Sequence, residues 1–131
     1  MNRFLKISLL IVGVIVIMLG MEVKHRMDIY DQIKQEEIKI AQSKEAIVIY
    51  EQELKWLDPN ALTNEGTIKS YSIDLDSITL NPMGGFSIHL IINDDPDIYL
   101  RVGLGRYDME RNLEVSSIYL SEKLEKLMEG K

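Results

Sequence analysis

This chain of 131 residues carries 15 Lys and Arg against 21 Asp and Glu, a net charge of −6, and it contains no cysteine. The length allows one modest domain, and the lack of cysteine excludes disulfides, thiol nucleophiles and cysteine-bound zinc. Every acidic residue lies at or after Glu22. Because nucleic-acid binding requires a basic surface, we expect no nucleic-acid partner.

The first segment in chain order is an apolar run, residues 7–21, without a charged side chain. It is shorter than the roughly 20 helical residues that cross a membrane, but Phe4–Val23 reaches that length if Lys6 and Glu22 extend to the head groups. A cleaved secretion signal is the alternative, although the run lacks the small residues of a cleavage site. We predict an uncleaved transmembrane anchor over residues 1–23.

Charges flanking this run predict its orientation. Arg3 and Lys6 precede it without any acid, whereas the basic residues after it are balanced by Glu22 and Asp28. We therefore expect a single-pass protein of the cell membrane, with a cytoplasmic N-terminus and an extracytoplasmic C-terminal domain.

A helical pattern without Pro or Gly follows over Lys24–Leu57. Apolar residues seven apart mark one helical face: Ile33, Ile40, Ile47 and Leu54. A coiled coil is disfavoured because Glu36 and Ser43 would lie in its seam. We predict one continuous helix, with a stalk over residues 24–40 and a later half that packs on the domain formed by residues 41–131.

After Gly66 the apolar period changes to two, which is typical of half-buried strands. Four strands are predicted, the first of them interrupted around Asp74–Ser77: Thr67–Ile73 with Ile78–Leu80, Phe86–Ile92, Ile98–Leu104 and Leu113–Leu120. Turns are predicted between them at Asn81–Gly85, Asn93–Asp97 and Tyr107–Asn112. Ser121 can cap a final short helix.

Short connections between consecutive strands predict a four-stranded antiparallel meander. The preceding helix must cover the apolar face of this sheet, so the expected class is α+β in two layers. This layout resembles cystatin-like folds, which host inhibitors, enzymes and sensors and therefore fix no function.

Several motifs also resemble one known family. They are Ala61-Leu62-Thr63, Gly66-x-Ile68-Lys69-Ser70-Tyr71, Ser77-Ile78, Asn81-Pro82-Met83-Gly84-Gly85, Ile91-Ile92-Asn93-Asp94 and Ser121-x-Lys123-Leu124-x-x-Leu127. In these motifs the chain resembles the domain-of-unknown-function family thirteen-ten, short membrane-anchored proteins of low-GC Gram-positive bacteria. The resemblance implies an N-terminal membrane segment and assigns no activity, cofactor or catalytic residue.

The two histidines are the first candidates for acid–base or metal chemistry. His25 lies between Lys24 and Arg26 at the expected membrane surface, and His89 is out of phase with the apolar residues of its strand. We interpret His25 as an interfacial basic residue and His89 as solvent-facing. A metal site at His89 would need carboxylate ligands, because cysteine is absent.

Acidic residues suggest two further sites, both of which we disfavour. Asn93-Asp94-Asp95-Pro-Asp97 offers oxygen ligands for calcium but lacks the spacing of a calcium-binding loop. Asp74 and Asp76 could act as a glycosidase pair, but no aromatic-lined sugar cleft accompanies them. Gly103-x-Gly105 precedes no helix and so is not a phosphate loop. We expect no catalytic residue, no metal and no cofactor.

A sheet surface remains as the candidate site. If the helix covers the face that carries Phe86 and Ile88, then His89, Tyr99 and Arg101 lie on the opposite face. Tyr and Arg are enriched in protein interfaces, so this face is a possible partner-binding surface. A solvated face with ordinary cross-strand pairs is the alternative.

The leading hypothesis is a membrane-anchored, extracytoplasmic, non-catalytic module that binds an unidentified protein, as an inhibitor, immunity protein or envelope sensor would. One alternative is an accessory subunit of a membrane complex that assembles through its transmembrane helix, where Gly13 and Gly20 permit close approach. The others are a secreted protein with a cleaved signal and a weak envelope hydrolase.

Overall fold

The computed structural model describes residues 2–106 and 112–130. Their elements follow the order α1 (Arg3–Ala41), α2 (Lys44–Leu57), β1 (Tyr71–Leu80), β2 (Phe86–Ile92), β3 (Asp95–Arg106), β4 (Leu113–Leu120) and α3 (Glu122–Glu129). The predicted α+β class, with its four-stranded antiparallel sheet and short closing helix, is confirmed. The turn predicted at Tyr107–Asn112 lies outside the described residues except for Asn112.

The chain divides into two compact units, Met1–Gln35 and Glu36–Lys131. The first unit contains α1 as far as Gln35, and α1 is long and apolar enough to cross a membrane. None of its apolar window is buried in protein, as expected of a helix whose solvent is lipid. The domain boundaries predicted after residues 23 and 40 stay predictions.

The long helix is divided at Ser43, where the sequence predicted a continuous one. The Ser43 hydroxyl accepts a hydrogen bond from the Ala46 N–H at 3.2 Å and donates to the Ile40 carbonyl at 2.6 Å. The buried Tyr50 hydroxyl donates to the Ala41 carbonyl at 2.9 Å. Because side chains satisfy backbone groups at both new helix ends, the break costs little.

The sheet has the order β1-β2-β3-β4, with every neighbouring pair antiparallel, which confirms the predicted meander. The central part of its apolar face is buried under α2 and α3, whereas Val115 and Ile118 on β4 are exposed. This core contains Phe86, Ile88, Leu90, Ile92, Leu100, Val102 and Leu104 from the sheet, with Tyr50 and Leu54 from α2 and Leu124 from α3. Burial of so many apolar side chains on one face is the main stabilising contribution in this unit.

The first strand starts later than predicted, at Tyr71 instead of Thr67. Asp58, fully buried after α2, accepts hydrogen bonds from the backbone N–H groups of Thr67 at 2.8 Å and Ile68 at 3.0 Å. The segment 67–70 therefore has its amides bound by side chains instead of a neighbouring strand. The predicted interruption of β1 is present, since its register shifts between Asp74 and Thr79.

The hairpin turns follow the backbone preferences of their residues. Gly84 (φ 103°) and Gly85 (φ 80°) take the positive φ predicted for the β1–β2 turn. The β2–β3 turn is tighter than the predicted Asn93–Asp97, because Asn93 (φ 53°) and Asp94 (φ 59°) alone form it. Positive φ at both central residues is typical of a two-residue hairpin turn, and β3 begins directly afterwards.

Candidate functional site

The sheet face opposite the helices carries the residues that the sequence singled out. Cross-strand pairing aligns Asp74 with His89, His89 with Arg101, and Arg101 with Tyr119. Tyr99 lies diagonally between His89 and Tyr119. We call this set of five residues the outer face. The prediction that His89, Tyr99 and Arg101 share one face is confirmed by their register.

The outer face carries a row of three neighbouring rings. The His89 and Tyr99 rings are nearly parallel, with centroids 4.3 Å apart and an interplanar angle of 12°. Tyr119 extends the row, with its ring centroid 6.4 Å from that of Tyr99 at a tilt of 39°. Such contacts restrict the rotamers of these side chains.

The charge on His89 is set by burial and by its cross-strand neighbours. Partial burial lowers its pKa, and the positive charge of Arg101 lowers it further, while the carboxylate of Asp74 acts in the opposite direction. The net shift is downward, so the stacked imidazole is neutral at pH 7. A neutral ring stacks on Tyr99 without placing a second cation beside Arg101.

Arg101 is the exposed cation of this face. Among residues 2–106 and 112–130, it takes part in none of the ion pairs. A guanidinium presents a planar fork of donors that matches a carboxylate. The outer face can therefore offer an aromatic row next to an exposed guanidinium, with the Asp74 carboxylate two strands away.

A β-bulge determines what β4 contributes to this face. Ser116 and Ser117 together oppose Gly103, where the register between β3 and β4 shifts. A Cβ atom at Gly103 would lie 2.4 Å from the Ser117 Oγ and 2.7 Å from the Ser116 Oγ. Both serine side chains thus occupy the space that the glycine leaves open, and the extra residue places Tyr119 on the outer face.

The acidic β2–β3 turn is engaged in structural contacts. The Asn93 side chain accepts hydrogen bonds from the Lys69 and Ser70 N–H groups at 2.7 and 3.2 Å. The ammonium of Lys123 lies 3.5 Å from the Asp95 carboxylate and 3.7 Å from that of Asp97. Within the described residues, no group of three or more His, Asp or Glu side chains is arranged to hold a metal ion.

The remaining sequence candidates lie apart from the outer face or on its margin. His25 is exposed on α1, and Gly103-x-Gly105 belongs to β3 instead of a loop. Asp74 and Asp76 lie at the irregular part of β1. Sequence reasoning missed Tyr119, because alternation counted from Leu113 places it on the buried face and only the bulge reverses the count.

A family model described as Protein of unknown function (DUF1310) matches residues 7–127. The chain belongs to this family. The match runs from the apolar part of α1 into α3, so it confirms the resemblance drawn from the motifs. The DUF1310 description names no activity or interaction role, and no curated protein or solved structure matches the chain.

Proposed function

We propose that this protein is a membrane-anchored, extracytoplasmic, non-catalytic module that binds a protein partner through its outer face. The observation that carries the proposal is the aromatic row beside Arg101. His89 stacks on Tyr99, the tilted ring of Tyr119 extends this row onto a third strand, and Arg101 is exposed beside it. Aromatic and arginine side chains contribute most of the binding free energy in many protein interfaces.

The geometry also supports a specific chemistry for the partner. A prearranged aromatic row loses little side-chain entropy on binding, so it suits an apolar or aromatic group on the partner. Arg101 suits a carboxylate placed next to that group. The proposed partner is therefore a protein surface that combines an apolar side chain with Asp or Glu.

A binding role also suits the shape of this surface. Catalysis generally requires a concave, water-excluding site with an acid or base held close to the substrate. The outer face is instead one side of a sheet, where Arg101 and Tyr119 are exposed and His89 is half-buried against Tyr99.

A photo-crosslinking experiment tests the partner face. A photoreactive residue replaces Ser72, which is exposed and lies in register beside the outer face, in the full-length protein in intact cells. We expect one specific protein adduct, reduced about tenfold by Arg101→Ala, which corresponds to about 1.4 kcal/mol of binding free energy. Tyr99→Ala should reduce the adduct similarly.

Lys55→Ala is the matched control, since Lys55 is an exposed cation on α2. It should leave the adduct unchanged. Equal adduct yields in the Arg101, Tyr99 and Lys55 variants would contradict the proposed face, provided that all variants keep the same unfolding temperature.

Cysteine labelling tests the proposed location. The natural chain has no cysteine, so the Asp97→Cys and Asn2→Cys variants each contain a single thiol. Asp97 is exposed in β3 and Asn2 precedes α1. In intact cells, a membrane-impermeant thiol reagent should label Asp97→Cys only; the reverse pattern would overturn the orientation.

A further inference from the structure

From Glu114 to Tyr119, the outward edge of β4 has no neighbouring strand among residues 2–106 and 112–130. In the sheet order β4 pairs with β3 alone, and Glu114–Tyr119 are exposed. Edge strands of soluble domains usually carry lysine, proline or several charges that prevent pairing with another chain. β4 carries Glu114 as its one charged residue, and it contains neither lysine nor proline.

Two hydrogen bonds fix which backbone groups of β4 point outward. The Ser121 N–H donates to the Tyr99 carbonyl of β3 at 3.0 Å, so it points into the sheet. The Leu113 N–H donates at 2.9 Å to the Glu45 carboxylate of α2, so it points away from β3. In a strand these directions alternate from residue to residue.

Alternation counted from each end of β4 shows which backbone N–H groups lie on the outward edge. Alternation from Ser121 places the backbone N–H groups of Leu120 and Ile118 on the outward edge. Alternation from Leu113 places that of Val115 on the same edge. The two counts meet at the bulge, where Ser116 and Ser117 both face β3.

The side chains of β4 share this symmetry. The strand reads Leu113-Glu114-Val115-Ser116-Ser117-Ile118-Tyr119-Leu120, which is nearly the same pattern in both directions. Its centre lies between Ser116 and Ser117. In a regular strand, a two-fold axis at such a point cannot give antiparallel pairing, because adjacent residues direct their backbone groups to opposite edges. Because the bulge makes Ser116 and Ser117 both face β3, residues at equal distances from this axis direct their backbone groups to the same edge.

We propose that β4 pairs in antiparallel fashion with β4 of a second copy of this chain, about a two-fold axis between Ser116 and Ser117. Val115 then lies opposite Ile118 of the second copy, and the two exchange backbone hydrogen bonds. Glu114 lies opposite Tyr119. The contact is isologous, as a two-fold interface requires.

The exposure of Val115 and Ile118 is consistent with pairing to a second copy of this chain. Val115 is 37% exposed and Ile118 is 38% exposed, although both point to the helix-covered face. In the paired arrangement each side chain covers the other and extends the apolar layer across the axis. The opposite edge, β1, differs because Asp74 and Asp76 and a register shift interrupt it.

Disulfide crosslinking tests both the pairing and its register. Glu114→Cys and Tyr119→Cys are co-expressed as full-length chains with different tags and treated with a mild oxidant in their membrane. Residues opposite each other in a non-hydrogen-bonded pair have Cα atoms about 4.5 Å apart, within reach of a disulfide. We expect a mixed dimer that carries both tags.

Each variant expressed alone is the matched control. Glu114 of one copy lies about 15 Å along the strand from Glu114 of the other, too far for a disulfide. The single variants should therefore stay uncrosslinked. Ile118→Lys in both chains should abolish the mixed dimer, and Ser72→Lys on the β1 edge should leave it intact.

Two results would overturn the proposal. These are absence of the mixed dimer although both thiols react with a small reagent, or equal crosslinking in the single variants. The pairing does not use Arg101, so Arg101→Ala should leave the mixed dimer intact while it reduces the partner adduct about tenfold. Failure of one proposal is thereby distinguished from failure of the other.

Discussion

At the scale of single residues, His89 is the histidine of the outer face, and its charge depends on pH. Its pKa lies below the ordinary value because of burial and Arg101. We expect Arg101→Ala to raise the pKa of His89 and Asp74→Asn to lower it, since Asp74 favours the protonated form. Titration of the imidazole NMR resonances measures both shifts; movement of both in one direction would contradict this assignment.

The same shift makes stability depend on pH. Because the pKa of His89 is lower in the folded chain, the unfolded chain binds more protons between the two values. We expect the free energy of unfolding to fall as pH drops through about 6.5, the ordinary histidine range. The fall should be smaller in His89→Gln, and an unchanged pH profile in that variant would assign the effect elsewhere.

Asp58 connects α2 to the start of the sheet. Its buried carboxylate accepts hydrogen bonds from the N–H groups of Asn60, Thr67 and Ile68. Asp58→Ala leaves these donors without their acceptor, and we expect a loss of about 3 kcal/mol in the free energy of unfolding. Denaturant unfolding measures it, with the exposed Asp76→Ala as a control that should change by less than about 0.5 kcal/mol.

At the scale of elements, the break between α1 and α2 depends on one hydroxyl. The Ser43 Oγ accepts a hydrogen bond from Ala46 and donates to Ile40. Ser43→Ala removes this cap, so we expect the free energy of unfolding to fall by about 1 kcal/mol. Thermal unfolding of Ser43→Ala against Ser70→Ala, an exposed serine outside any helix, checks the value. Equal stability of the two variants would show that the cap is dispensable.

The apolar period and the φ preferences of turn residues predicted the elements that depend on nearby residues of the sequence. Strands β2 and β4 and the Gly84 turn follow from period and φ preference. The break at Ser43 was missed because helical spacing continues across it, and the supporting Tyr50 bond appears only in the folded chain. The start of β1 was misplaced because side chains from other parts of the chain bind the amides of segment 67–70: Asp58 accepts from Thr67 and Ile68, and Asn93 accepts from Lys69 and Ser70.

The candidate site was likewise predictable where it depends on local alternation and was missed where it depends on the fold. Period-two alternation within β2 and β3 places His89, Tyr99 and Arg101 on one face, and the register confirms it. Tyr119 joins them only because Ser116 adds a residue opposite Gly103. Sequence alternation cannot locate such a bulge, since its position depends on the space above Gly103.

At the scale of the whole molecule, the apolar helix and the outer face have separable proposed roles. We expect replacement of residues 7–21 by an unrelated apolar helix of equal length to preserve the photo-crosslinked adduct at Ser72. A simple anchor requires length and hydrophobicity, whereas an assembling helix requires specific side chains. Loss of the adduct, with membrane localisation retained, would favour the accessory-subunit alternative and the Gly13 and Gly20 contacts.

The meander order of the sheet has a kinetic consequence. Each strand pairs with the strand that precedes or follows it in sequence, and Asn93 and Asp94 alone connect β2 to β3. Pairing between strands that are adjacent in sequence closes only short loops, so the chain loses little entropy before its hydrogen bonds form. The sheet should therefore form rapidly, hairpin by hairpin, and its strands should spend little time unpaired during folding.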